Sequence, residues 1–134
     1  MRRLRPSSAV LAIFITLAAT TAWAANQKWV GTAATDFVFF GKIIAKLRPV
    51  TATTAVGTAR CVAVRPNRCL AQRYVATLTL TGPTSFEAVL RASNGIACAA
   101  TGSVAGTFLD GEYGCIDRLG QVIDTGVFRL TRRR

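Results

Sequence analysis

Residues Tyr74–Thr81 read Y-V-A-T-L-T-L-T, and this stretch decides the fold. Its side chains alternate, so that one face carries Tyr, Ala and two Leu while the other carries Val and three Thr. Strict alternation of this kind is typical of a β-strand with one buried face. The Gly82-Pro83 pair that follows is a turn signal. The stretch therefore predicts a half-buried strand that ends in a tight turn.

The segments outward from this stretch continue the same pattern. Ser85–Arg91 alternates again, with Phe86, Ala88 and Leu90 on one face. Asp110-Gly111 lies between two further apolar segments and has the composition of a two-residue hairpin turn. Counted together, the chain carries about eight short antiparallel strands, a number typical of barrels and small sandwiches. We therefore predict an all-β fold, either a small antiparallel barrel or a sandwich. The other segments with strand character are Val56–Val64, Val104–Leu109, Glu112–Ile116 and Gly126–Thr131.

One segment, Asp36–Arg48, allows two interpretations. As a strand, it alternates apolar residues with basic ones such as Lys42 and Lys46. As a helix, it places Phe, Ile and Leu residues at helical spacing before Pro49, which would end it. Gly41 in the middle would cost a helix about 1 kcal/mol, so the strand is favoured.

The N-terminal 24 residues have the composition of a secretory signal peptide. A short basic start precedes an almost wholly apolar run, and Ala22-Trp23-Ala24 supplies the small-x-small cleavage pattern. The apolar run of about 12 residues is shorter than the roughly 20 that span a bilayer. An uncleaved anchor and a twin-arginine signal are the alternatives. We expect a signal peptide over residues 1–24 and one disulfide-stapled β domain over residues 25–134. The domain would be periplasmic or secreted, with no transmembrane segment after cleavage.

Composition limits the chemistry that the domain can perform. The chain has 17 basic residues, 6 acidic residues and no histidine, and without the three leader arginines the net charge is +8. The lack of histidine excludes histidine general bases and the common histidine-containing zinc sites. No G-x-S-x-G motif is present, and nothing pairs the acidic residues in a cleft. We therefore expect no enzyme, no metal and no cofactor.

The four cysteines predict two disulfides in an exported chain. Three pairings are possible. Cys61–Cys69 together with Cys98–Cys115 is favoured because each pair closes a short local loop. Loops of these sizes contribute roughly 2.5 and 3 kcal/mol through chain entropy. The cysteine spacings contain no C-x₂-C pair, so a metal site is not expected.

Basic residues concentrate around the first cysteine pair. Arg60, Arg65, Arg68 and Arg73 would crowd three or four guanidinium groups onto one small surface. The planar guanidinium suits phosphate, sulfate and carboxylate groups, so we predict a patch that binds an anionic glycan, a lipid headgroup or an acidic protein. The alternative is a solvated basic surface in an arginine-rich domain, which has 11 Arg and 3 Lys. Export and the lack of a recognition motif argue against sequence-specific binding of nucleic acid.

The domain begins with W-V-G-T at Trp29–Thr32 and ends with G-V-F-R-L-T-R at Gly126–Arg132. In these residues the chain resembles the calycin-like barrels, which include lipocalins, avidins and small bacterial periplasmic inhibitors. The lipocalin G-x-W order is not present. The resemblance implies that Trp29 closes one end of a barrel. It also implies that a basic residue of the last strand, Arg129 or Arg132, packs across that tryptophan.

Two functions remain in competition. The sequence favours a non-enzymatic binding protein of the cell envelope that engages a macromolecular partner through its basic loops, with inhibition of an enzyme as one version. The net charge of +8 favours this hypothesis, because a carrier has no need of it. The alternative is a small-molecule carrier with an apolar ligand inside the barrel. A carrier would respond to bulky substitutions at small inward positions such as Ala76 or Ala88.

Overall fold

The chain folds into eight antiparallel β-strands that close into a barrel, which confirms the all-β prediction and decides between barrel and sandwich. A computed structural model describes residues 25–35, 40–63 and 68–133. Each strand pairs with its neighbours in sequence, and the last strand pairs with the first. The strands are β1 (Gln27–Thr35), β2 (Phe40–Pro49), β3 (Thr54–Ala63), β4 (Arg73–Leu80), β5 (Ser85–Arg91), β6 (Ala97–Ala105), β7 (Phe108–Ile116) and β8 (Val122–Arg133).

The ambiguous segment is a strand where it is described. β2 begins at Phe40 and pairs with both β1 and β3, so the strand interpretation is confirmed from residue 40 onward. Residues 36–39 lie outside the described residues, as does the predicted signal peptide over residues 1–24. Within the part of the chain that is described, no helix is long and apolar enough to cross a membrane.

Alternation along the strands sorts side chains between the barrel interior and solvent. In β4, Tyr74, Ala76 and Leu78 are buried, whereas Val75 and Thr77 between them are exposed. This is the division that the sequence predicts. The same period of two applies around the barrel, because successive side chains of a strand point to opposite faces of the sheet. The interior is centred on Trp29, Leu47, Leu78, Phe86, Leu109 and Leu130.

The two ends of the barrel differ. At one end, here called the turn end, short turns follow β2, β4 and β6. At the other, here called the loop end, longer connections follow β3, β5 and β7. The Asn94 side-chain amide donates to the Leu70 carbonyl (3.2 Å), which joins two of the connections at the loop end.

The predicted hairpin turn at Asp110-Gly111 is wrong. Asp110 and Gly111 lie inside β7, opposite Ser103 and Gly102 of β6. The turn occupies Gly106 and Thr107 instead, and Gly106 has a φ of 62° that a glycine adopts without strain. The local Asp-Gly signal is outweighed because the observed register places Cys98 directly opposite Cys115 and buries Leu109.

Both favoured disulfides form. Cys61–Cys69 joins the end of β3 to the connection that follows it, and Cys98–Cys115 joins β6 to β7 across the sheet. All four cysteines are therefore paired. The first bond restrains the loop end, and the second fixes the register of a hairpin.

Candidate functional site

The interior of the barrel is not filled, because six consecutive strands each contribute an alanine to it. An eight-stranded barrel is just wide enough for large side chains to fill. With alanine at these positions, the interior retains a cavity of about 140 Å³. An apolar cavity of about 150 Å³ is large enough to bind benzene. The alanines, one each from β1 to β6, are Ala33, Ala45, Ala59, Ala76, Ala88 and Ala100.

Three aromatic rings also line the cavity. Phe128 of β8 lies 6.1 Å from the Phe86 ring of β5 in an edge-to-face arrangement and 6.5 Å from the Tyr113 ring of β7. These separations are within the range of favourable aromatic pairs. Because β5 and β8 are not neighbours in the sheet, Phe86 and Phe128 meet across the interior.

One carboxylate lies in the otherwise mostly apolar lining of the cavity. Asp124 of β8 is only 8% exposed, and its Oδ2 accepts a hydrogen bond of 3.0 Å from the Tyr113 hydroxyl. Burial raises the pKa of the nearby Tyr74 hydroxyl. A hydrogen bond with the Ala71 backbone acts against this rise, and the charge of Asp124 adds to it. Tyr74, Tyr113 and Asp124, here called the polar cluster, provide the cavity with a negative charge and hydroxyl groups.

The described lining of the cavity extends toward the loop end. It includes Arg60 and Leu70, both of which are exposed. The Cys61–Cys69 disulfide lies beside them and restrains this end of the barrel. The polar cluster lies toward the same end.

Trp29 lies buried toward the turn end. This residue is 2% exposed, and its indole Nε1 donates to the buried Gln27 Oε1 over 2.8 Å. Arg132 lies directly opposite Trp29 in the β1–β8 register, on the same face of the sheet. Arg129 lies on the outer face, where it forms an ion pair with Asp110 (2.6 Å) and stacks over Phe108. Of the two basic residues expected at this end, Arg132 is therefore the one on the side of Trp29.

Three of the four arginines predicted to bind anions are described, and all three are exposed. Arg60 and Arg73 lie directly opposite each other on the outer face of β3 and β4. Arg68 lies in the connection between these strands, next to Cys69. Arg65 lies outside the described residues. The fold thus brings Arg60 and Arg73 together as the sequence suggested.

Charge is distributed unevenly around the barrel. Strands β1 to β4 contain no acidic residue, and each of their basic residues is exposed. The acidic residues of the strands all lie in β5, β7 and β8. Half of the barrel wall is therefore uniformly basic on its outer face. The basic residues of this half are Lys28, Lys42, Lys46, Arg48, Arg60 and Arg73.

Sequence reasoning missed the polar cluster. Tyr74 was assigned to an inward face, but Asp124 was treated only as one of six unpaired acids. The available signal was position: Asp124 is two residues from Gly126 and four from Phe128, on the inward face of β8. An aspartate at an inward position of a strand is rare enough to mark a site.

Comparisons with known proteins give a structural likeness and no sequence relative. No family model matches the chain, and no curated protein matches it. The solved structure of the bradavidin2–biotin complex is similar with a TM-score of 0.58 at 17% identity, covering 82% of this chain and 98% of that one. The structure of EF1p2_mFAP2b bound to DFHBI is similar with a TM-score of 0.62 at 14% identity, covering 86% and 98%. The fold of this chain therefore resembles the calycin-like barrels, avidins among them.

Proposed function

We propose that this protein is a non-enzymatic binding protein that holds a small, largely apolar ligand inside its barrel. The observation that carries the proposal is the cavity left by one alanine from each of six strands. Ligand sites are typically apolar cavities with a few convergent polar groups, and this cavity has that form. The two similar barrels were solved with biotin and with DFHBI, so related architectures do hold small molecules. The chain has no histidine, which is consistent with binding rather than catalysis.

The chemistry of the cavity limits the ligand. Its body would be apolar and about the size of a single ring, because the cavity measures about 140 Å³. A hydrogen-bond donor on the ligand would face the polar cluster, since its two tyrosine hydroxyl groups and its carboxylate all accept hydrogen bonds. A ligand with a carboxylate at that position would be repelled. The preferred ligand is thus a small ring compound with a single N–H or O–H group.

We also propose that the protein acts outside the cytoplasm. Residues 1–24 have signal-peptide composition, and all four cysteines of the domain are paired. Structural disulfides form and persist in oxidising compartments. An intact mass of the protein recovered from its host would test this proposal. The expected product lacks the leader and retains both disulfides.

Native mass spectrometry of the protein recovered from its own host tests the carrier proposal. We expect a small-molecule mass to accompany the protein. Ala76→Leu should lose this mass because the added side chain enters the cavity. The matched control is Thr77→Leu, which introduces the same side chain at the neighbouring position that faces outward. Retention of the bound mass by Ala76→Leu would contradict the cavity as its site.

A second candidate function follows from the arginine patch. The exposed Arg60, Arg68 and Arg73 support an anionic macromolecular partner at the loop end, on the half of the barrel wall that lacks acidic strand residues. Electrostatic binding of this kind weakens as ionic strength rises. Replacement of Arg60 and Arg73 by Gln should weaken binding to heparin and flatten its dependence on salt. An affinity that does not change with salt would exclude this function.

A further inference from the structure

A groove lies at the turn end of the barrel, the end opposite the polar cluster. It measures about 760 Å³ and is lined by residues at the ends of β8, β1, β2 and β3. Its lining contains five basic residues and no acidic one among those described. We call it the basic groove and define it by its five cations. These are Lys28, Lys46, Arg48, Arg132 and Arg133.

The strand register forces three of these cations together. Lys28 of β1 lies directly opposite Arg133 of β8 on one side and Lys46 of β2 on the other. Adjacent strands are about 4.8 Å apart, so the three charges occupy neighbouring positions in one row. Like charges directly opposite each other destabilise a sheet. The row of like charges therefore lowers the free energy of unfolding of the free protein. A bound anion would raise it.

Nothing in the described residues neutralises this row. Lys28, Lys46 and Arg133 form no ion pair with another residue in the described part of the chain. The neutral part of the lining includes the hydroxyl groups of Thr58 and Thr107, which can donate hydrogen bonds to an anion. Arg48 adds an exposed guanidinium group to the lining.

We infer that the basic groove is a second binding site, specific for a compact phosphate ester that carries several negative charges. Lysine ammonium groups supply point charges, and arginine forks supply paired donors that match phosphate oxygens. The concave shape suits a compact polyphosphorylated molecule or a phospholipid headgroup. This site lies at the turn end of the barrel, whereas the polar cluster of the cavity lies toward the loop end.

Calorimetric titration of the full chain with myo-inositol hexakisphosphate tests the inference. A second arm uses vesicles of phosphatidylcholine with and without phosphatidylglycerol, which separates a free phosphate ester from a lipid headgroup. The test variant is Lys28→Gln/Lys46→Gln. The matched control is Lys42→Gln/Arg91→Gln, which removes the same charge from exposed strand positions outside both the groove and the arginine patch.

We expect the groove variant to weaken binding by roughly tenfold or more in the arm that binds, since two charged contacts are lost. The control should change affinity by less than about twofold, because exposed charges outside the groove are screened. Equal losses in both variants would overturn the inference and assign binding to net charge alone. A lack of binding in both arms would overturn it as well. The single substitution Arg48→Gln removes another groove cation and should also weaken binding.

Discussion

The three residues of the polar cluster are the polar groups that a ligand would meet inside the cavity. Tyr113 donates to Asp124, and Tyr74 is close enough for the charge of Asp124 to raise its pKa. Buried polar groups of this kind are stable when they are hydrogen-bonded. Under the proposed function, these residues would favour a ligand with a donor group. The sequence pattern placed Tyr74 on the correct face but did not bring Asp124 near it, because the two residues belong to strands that are distant in the chain.

The raised pKa of Tyr74 predicts a loss of stability in alkali. Below about pH 10, the ordinary tyrosine pKa, the hydroxyl is protonated in both the folded and the unfolded chain. Above it, the unfolded chain ionises first, so the free energy of unfolding falls as pH rises through the pKa of the folded state. Urea unfolding at a series of alkaline pH values should show this fall. It should be smaller in Tyr74→Phe, and equal slopes in the two proteins would contradict the assignment.

At the scale of elements, the β6–β7 hairpin shows where sequence reasoning succeeds and where it fails. The cysteine pairing was predicted because both loops are short. The turn was misplaced by four residues because Asp-Gly is a strong local signal, whereas the true turn follows from the register across the whole hairpin. Strands such as β4 and β5 were predicted because alternation is local and visible in one segment. Registers and turns depend on partners that are distant in the chain.

In the β6–β7 hairpin, we expect Gly→Ala substitutions at two positions to lower stability by different amounts. A Cβ at Gly102 would overlap the backbone carbonyl of Asp110 in β7, so Gly102→Ala should force the strands apart. At Gly106 nothing lies near an added Cβ, and only the positive φ is unfavourable. We expect Gly106→Ala to cost about 1 kcal/mol and Gly102→Ala to cost more, measured by urea unfolding. The reverse order would contradict the observed register.

For the whole molecule, the central feature is that a barrel of ordinary size remains partly empty. The sequence predicted a small barrel or a sandwich, and a ligand inside the barrel was only the alternative function. Whether the interior is filled depends on alanines from six strands, which meet only in the closed barrel. The uneven charge of the wall has the same origin, since four neighbouring strands happen to lack acids. Features that combine many strands are therefore the ones that sequence reasoning cannot place.

The carrier account also predicts how the whole barrel responds to ligand. A ligand that binds only the folded state raises the free energy of unfolding, and the increase grows with the logarithm of the ligand concentration once that concentration exceeds the dissociation constant. Phenol combines a single ring with one O–H donor, so it is a suitable probe of the cavity. Its binding should raise the midpoint of thermal unfolding. Benzoate, which has a carboxylate in place of the hydroxyl group, should raise it less because Asp124 repels it.

The most direct test is a nuclear magnetic resonance titration of the protein with phenol, followed at the indole N–H of Trp29, which lines the cavity. Two variants make the test specific, since Ala100 faces the cavity and its neighbour Ala99 faces solvent. The account predicts saturable shifts in the native protein and in Ala99→Leu, and their loss in Ala100→Leu. Unchanged binding in Ala100→Leu, or no binding by the native protein, would contradict a ligand site inside the barrel.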